Sequence, residues 1–231
     1  MTGFGSDSAS SSGLPRLEVR WIRSGALDVR MLEWFRRFPT AAESREDDYL
    51  INPDLDGLSV KIRGAGALEV KMYRGRVGVL DVPGRARGLM ESWQKWSFPL
   101  RSPSQDRGVT PSWTAVHKNR RMTFFSFVDG GPSAGVPGPQ PERGCAVELT
   151  EIRMHGQHWW TLGLEAMGDP PDGLTGVVQA TAARVFDGAM PDNLALASED
   201  SRSYSSWLRE QLSGEHPATV SDYQARMPPA Q

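Results

Sequence analysis

Apolar and polar residues alternate along much of the first 167 positions. In 17–23 the apolar Leu17, Val19 and Trp21 are separated by Glu18 and Arg20. In 58–63 Leu58, Val60 and Ile62 alternate with Ser59, Lys61 and Arg63. After the turn Gly64-Ala65-Gly66, Leu68, Val70 and Met72 alternate with Glu69, Lys71 and Tyr73. A period of two marks a strand with one apolar and one polar face. The same reading predicts strands at 45–51, 77–82, 113–128, 146–154 and 159–166, with a turn at 155–157. Helical spacing is read at 26–38, where Leu27, Met31, Trp34, Phe35 and Phe38 recur before Pro39, and helices are also predicted at 85–96, 176–186 and 202–212. Polar 99–112 and Gly/Pro-rich 130–144 are expected to be loops. The strands arrive as hairpin-like pairs, which favours an antiparallel α+β arrangement over a doubly wound one. The Ser/Gly-rich residues 1–14 are expected to be a disordered N-terminal segment, 15–215 a single domain and 216–231 a C-terminal tail.

Composition narrows the function classes. The 231 residues carry a formal net charge of -2, so no nonspecific nucleic-acid binder is expected, and any attraction for anions must come from local clustering of Lys and Arg. The one cysteine, Cys145, allows no internal disulfide and no thiolate zinc site, and reads as a buried small hydrophobe. No apolar run is long enough for a membrane span, and the start lacks a basic region followed by an apolar stretch, so a cytoplasmic location is the default expectation. No P-loop, Gly-x-Ser-x-Gly elbow or His-Glu-x-x-His is present. His155 and His158 flank a turn without a third clear ligand for zinc.

The polar strand faces carry the candidate chemistry. Glu18 and Arg20 share a face, as do Lys61 and Arg63, Glu69 and Lys71, Lys118 and Arg120, and Glu148 and Thr150, while Glu151 falls on the other parity. Alternating charges are also what the wetted face of an open sheet shows. The density of Lys, Arg and Glu, with few Ser, Thr or Gln between them, instead suits a closed sheet that holds a polyanion, with cations on phosphate oxygens and carboxylates on a divalent ion.

The hairpin Leu58 to Lys71, the preceding Asp48-Tyr49-Leu50-Ile51-Asn52-Pro53, the later His117-Lys118-Asn119-Arg120-Arg121, and the closing Val147-Glu148-Leu149-Thr150-Glu151 with Leu162-Gly163-Leu164-Glu165 together resemble the CYTH, or triphosphate tunnel, superfamily over roughly residues 16–167. Leu17-Glu18-Val19-Arg20 stands in the place of its opening Glu-x-Glu-x-Lys signature. The resemblance implies a closed or nearly closed antiparallel β-barrel, a tunnel, with helices outside. It implies that Lys61, Arg63, Lys71, Lys118 and Arg120 bind phosphate. Glu18, Glu148 and Glu165 would be catalytic and would hold Mg2+ or Mn2+, and Tyr49, Glu69 and Tyr73 would line the substrate. Trp159, which has the parity of Glu165, is expected to line the same face. The signature is altered, because Glu18, Arg20 and Ile22 stand where Glu, Glu and Lys are expected. Arg20 would repel a divalent ion and attract phosphate. The first functional expectation is an enzyme that cleaves a phosphate bond of a di- or triphosphate-bearing small molecule with metal help. The alternatives are a prenyl-diphosphate lyase or cyclase, with aromatic residues such as Trp159 beside a cation, and a non-catalytic module that binds a phosphorylated metabolite.

Overall fold

The structure is a computed structural model, and it describes residues 13–52, 57–64, 66–100, 113–128, 131–136, 143–168, 171–188, 190–191 and 194–213. Most of the expected N-terminal segment, nearly all of the expected 99–112 loop and the expected C-terminal tail lie outside the described residues. The described residues form, in order, β1 (Leu14–Ser24), α1 (Val29–Phe35), β2 (Ala41–Leu50), β3 (Leu58–Arg63), β4 (Ala67–Val82), β5 (Ala86–Pro99), β6 (Trp113–Val128), β7 (Gly131–Gly135), β8 (Gly144–Met154), β9 (Gln157–Met167), α2 (Leu174–Val185) and α3 (Tyr204–Ser213).

The sheet runs β2-β3-β4-β5-β1-β9-β8-β6 and closes when β6 pairs with β2, from Ala41 opposite Met122 to Leu50 opposite Trp113. Every pairing is antiparallel, and β7 extends the β6 edge beyond the end of β2. The result is a closed eight-stranded antiparallel barrel, as expected. Closure satisfies the edge groups that an open sheet would leave to solvent. The β8–β9 hairpin turns on His155 (φ 49°) and Gly156 (φ 76°), two left-handed positions in a row. Such a pair matches the twist of the flanking strands.

The barrel's outer face on β1, β8 and β9 forms the core with the first two helices. Leu17, Val19, Trp21, Val147, Leu149, Leu162 and Leu164 meet Met31, Trp34 and Phe35 of α1 and Leu174, Val177, Val178, Ala182 and Val185 of α2. The opposite parity of the same strands therefore points into the bore. On β3 and β4, the residues expected to face outward (Leu58, Val60, Ile62, Leu68 and Val70) are only half-buried, not part of this core.

Two sequence expectations are corrected. The helix expected at 85–96 is instead strand β5, Ala86–Pro99. Ala86, Leu89, Met90 and Trp93 mimic helical spacing because this strand is covered on both faces: the consecutive Leu89 and Met90 are both buried. Strands covered on both faces lose the period of two. Within 130–144, residues 131–135 form β7, since β6 outruns β2 and offers an open edge there. Two of the expected strands, 68–73 and 77–82, merge into the single long β4, with register shifts between Tyr73 and Gly75 and between Arg76 and Gly78.

Candidate functional site: a charged barrel interior

The bore encloses a cavity of about 90 Å3, enough for several waters or a small oxyanion group. Its lining includes the cations Arg20, Arg45, Lys61, Arg63, Lys71, Lys95, Lys118 and Arg120, against the carboxylates of Glu18, Glu69, Glu148 and Glu165. Cations therefore outnumber lining carboxylates two to one. The strand register explains the clustering. Lys61 lies opposite Glu69, Lys71 opposite Lys95, Arg45 opposite Lys118, and Glu18 opposite Glu165, so inward-facing charges fall at neighbouring levels of adjacent strands.

The side chains form a continuous network of ion pairs. Arg20 Nε donates to Glu18 Oε1 at 2.6 Å, and its Nη1 donates to Glu148 Oε1 at 2.7 Å and Thr161 Oγ1 at 3.1 Å. Lys71 Nζ lies 2.9 Å from Glu18 and 3.2 Å from Glu165, which also meets Arg16 at 3.4 Å. Arg120 grips Glu148, donating from Nε at 3.1 Å, and reaches Glu43 at 2.7 Å. Glu69 meets Lys61 at 3.1 Å, Lys95 at 3.1 Å and Arg63 at 3.4 Å. Asp47, fully buried, is held by Lys118 and Arg45 at 2.9 Å each and by Lys61 at 3.2 Å.

The electrostatics follow from burial set against partners. Burial alone would raise the Glu18 carboxyl, but Lys71 and Arg20 hold it below the usual range. Glu148 is likewise opposed by burial, and Arg120 and Arg20 hold it well below. Glu165, despite burial, is brought to about 2 by Lys71, Lys95 and Arg16. All three carboxylates are ionised at neutral pH. Lys118 moves the other way: burial and the neighbouring Lys61 push its ammonium well below the ordinary lysine range, against the pull of Asp47.

The structure brings most of the predicted site residues to this one cavity: Glu18, Arg20, Tyr49, Lys61, Arg63, Glu69, Lys71, Lys118, Arg120, Glu148 and Glu165 all line it. Tyr73 packs edge-on against Trp93, with ring centroids 5.1 Å apart. Trp159 is not beside the cations. It packs on Trp207 of α3 at 5.2 Å, inside an apolar cluster with Ile22, Val116 and Ile152. The expected aromatic wall at Trp159 is thus covered by a helix.

Sequence reasoning missed Arg45, Asp47, Trp93, Lys95 and Tyr204. Arg45 and Asp47 share the parity of Tyr49 in a strand that was predicted, so alternation alone contained the signal. Trp93 and Lys95 were hidden by the helix read at 85–96. Tyr204 of α3 had no local signal: it stacks near Tyr49 with centroids 6.1 Å apart, while Arg20 and Lys118 sit over its ring at 4.6 and 4.2 Å.

A divalent ion does not fit the donors present. Among the described residues, no group of three His, Cys, Asp or Glu is disposed to hold a metal. Glu18 and Glu148 are bridged by the Arg20 guanidinium, and Glu165 faces Lys71 and Arg16. The expected Mg2+ or Mn2+ set of Glu18, Glu148 and Glu165 therefore lines one cavity but is committed to cations.

The closed antiparallel barrel with a charged bore and external helices is the tunnel architecture that the sequence resemblance implied. No family model matches the chain, and no curated protein matches it. Among solved structures it is similar to HpAC1 from Hippeastrum, assigned as an adenylyl cyclase and reported to have a dominant triphosphatase activity (11% identity, 87% of this chain and 96% of that one, TM-score 0.41). It is also similar to an assigned adenylate cyclase from Vibrio parahaemolyticus (14%, 83% and 97%, TM-score 0.42) and to the Pct1 RNA triphosphatase of S. pombe, solved with the Spt5 CTD (11%, 76% and 79%, TM-score 0.36). Likenesses this distant carry no functional conclusion.

Proposed function

We propose that this chain binds a small molecule bearing a di- or triphosphate group inside its barrel. The observation that carries this reading is the lining itself, with eight cations against four carboxylates around one cavity. Asp47 and Glu43 add two carboxylates that pair with Arg45, Lys61, Arg63, Lys118 and Arg120. The excess of positive charge that remains is costly unless a counter-charge arrives, and the planar donors of Arg20, Arg63 and Arg120 match phosphate oxygens. The favoured reading is binding rather than metal-assisted cleavage, because Glu18 and Glu148, which would have to hold the metal, are bonded to Arg20. The lyase reading loses Trp159, which packs on Trp207, and of the rings that do line the cavity, Tyr49 and Tyr204 already face the protein's own cations.

Isothermal titration with pyrophosphate, tripolyphosphate and a prenyl diphosphate tests the proposal. Saturable binding is expected with at least the first two, and Arg63→Ala should weaken it by about tenfold. Arg63 is 38% exposed at the rim, so the same change should cost the fold less than about 1 kcal/mol. No binding by any of the three, or full affinity in Arg63→Ala, would overturn the reading.

A further inference from the structure

The middle of the bore holds a cation that the fold itself supplies. Arg20 is only 5% exposed, yet it lines the cavity. Its Nε and Nη1 each meet a different carboxylate, Glu18 of β1 at 2.6 Å and Glu148 of β8 at 2.7 Å. Those carboxylates come from strands that do not pair with each other; β9 lies between them. The guanidinium spans β9 at Gly163, which is opposite Arg20 on one side and opposite Glu148 on the other. A Cβ at Gly163 would stand 2.7 Å from Arg20 Cζ, 2.8 Å from Nη2 and 2.9 Å from Nη1, so even alanine would displace the group. Gly163 has an ordinary backbone conformation, with no positive φ. What its missing side chain provides is room for the guanidinium. The Tyr204 ring lies against the guanidinium, with Cζ 4.6 Å from its centroid, and Thr161 takes a further bond at 3.1 Å.

We infer that Arg20, seated on Gly163, is a resident cation that takes the place of a divalent metal in this tunnel, so that a phosphate-bearing ligand binds without one. The inference rests on the reading of the tunnel as a phosphate site. The chemistry is consistent with the seat. A guanidinium has five N–H donors in a fixed plane. The bonds to Glu18, Glu148 and Thr161 use Nε and Nη1, and no hydrogen bond of Nη2 is formed with the described residues. Its two donors are available to an oxyanion in the cavity. Like a bridging metal, the guanidinium holds two carboxylates in place while presenting positive charge to a third anion. Unlike a metal, it cannot be removed by a chelator, and it stays charged across the accessible pH range.

The test uses the whole chain. Tripolyphosphate is titrated calorimetrically into metal-free protein in excess EDTA, and Mn2+ binding to the same protein is followed by electron paramagnetic resonance. Full-affinity binding in EDTA and no protein-bound Mn2+ are the expected results. Tripolyphosphate binding that disappears in EDTA and returns with Mn2+ would overturn the inference, as would one tightly bound Mn2+ per chain. Gly163→Ala should weaken tripolyphosphate binding by ten- to a hundredfold, the loss expected for one misplaced charge-assisted contact. An unchanged affinity in a folded Gly163→Ala protein would also overturn it. The two wild-type measurements decide the matter if that variant does not fold. Should no phosphate bind under any condition, the tunnel reading itself fails, and the Mn2+ titration still decides whether Arg20 has displaced a metal.

Discussion

Replacing Asp47 with Asn should unfold the barrel more easily and make it more dependent on its ligand. Asp47 is fully buried and is the shared anion of Lys118, Lys61 and Arg45, at 2.9, 3.2 and 2.9 Å. Asn keeps the volume and one acceptor oxygen but removes the charge. Two of the three cations keep another carboxylate: Lys61 has Glu69 at 3.1 Å, and Arg45 has Glu43 at 2.8 Å. Lys118 does not. It is 3% exposed and would be left with neutral partners, the Tyr49 hydroxyl at 2.6 Å and the Tyr204 ring at 4.2 Å. Leaving one buried charge without its counter-ion costs about 3–5 kcal/mol, and both the retained amide oxygen and the depressed Lys118 ammonium, which can shed its proton once Asp47 is gone, place this case at the lower end, at about 3. For a chain of this size that corresponds to a fall in Tm of about 6–12 °C. A bound polyphosphate brings back the missing negative charge, so tripolyphosphate should raise the Tm of Asp47→Asn by more degrees than it raises the wild type. Scanning calorimetry at pH 7, with and without tripolyphosphate, reads both effects. A Tm change under about 2 °C, or equal ligand shifts in the two proteins, would refute the reasoning.

Where alternation was clean, the sequence disclosed both strand and face. The β3–β4 hairpin was legible because Leu58, Val60, Ile62 and their partners face one way while Lys61, Arg63, Glu69 and Lys71 face the other, around a glycine-bearing turn. The β6 and β8 sites followed by the same logic, and Glu151 indeed lies on the opposite parity, paired with Arg121 outside the cavity lining. Strand β5 was illegible for the complementary reason: a segment buried on both sides carries no period of two, and Ala86, Leu89, Met90 and Trp93 then imitate a helix. The closing of the bore by α3 was not legible either. Nothing local in 202–212 distinguishes a helix that puts Tyr204 against Arg20 from one that packs on the barrel's outside. The partnership of Arg20 with Gly163 is a fact of register between β1 and β9, and alternation within either strand says nothing about which residues meet across the pair.

Acid should unfold this protein steeply. Glu18, Glu148 and Glu69 are held below the usual carboxylate range and Glu165 at about 2, so their stabilisation is complete above the ordinary range near about 4 and is lost as pH falls through the folded values. A Tm that stayed level between pH 5 and pH 3 would contradict this. Gly88→Ala should destabilise the fold by about 1–3 kcal/mol in urea titrations, since the new methyl would meet Val19, Trp21 and Ser201 at 2.8 Å each; an unchanged midpoint would show that this packing yields freely. Glu91 should respond to pH with the opposite sign. It lies directly opposite Glu18 on β1, and burial first, then the Glu18 charge, raises its carboxyl to about 7, with Arg76 offsetting only part. A folded value above the unfolded one means that the protonated form favours the fold. Its contribution is therefore present below the ordinary carboxylate range and disappears as pH rises through about 7. Glu91→Gln imitates the protonated carboxyl at every pH. It should leave Tm nearly unchanged at pH 4 and raise it at pH 8.5, where the gain in stability is less than the roughly 3 kcal/mol that the full shift would represent, because solvent reaches part of the side chain. If the difference in Tm between variant and wild type were the same at both pH values, Glu91 would not be titrating against Glu18 in the barrel interior, and the placement of its charge there would be wrong.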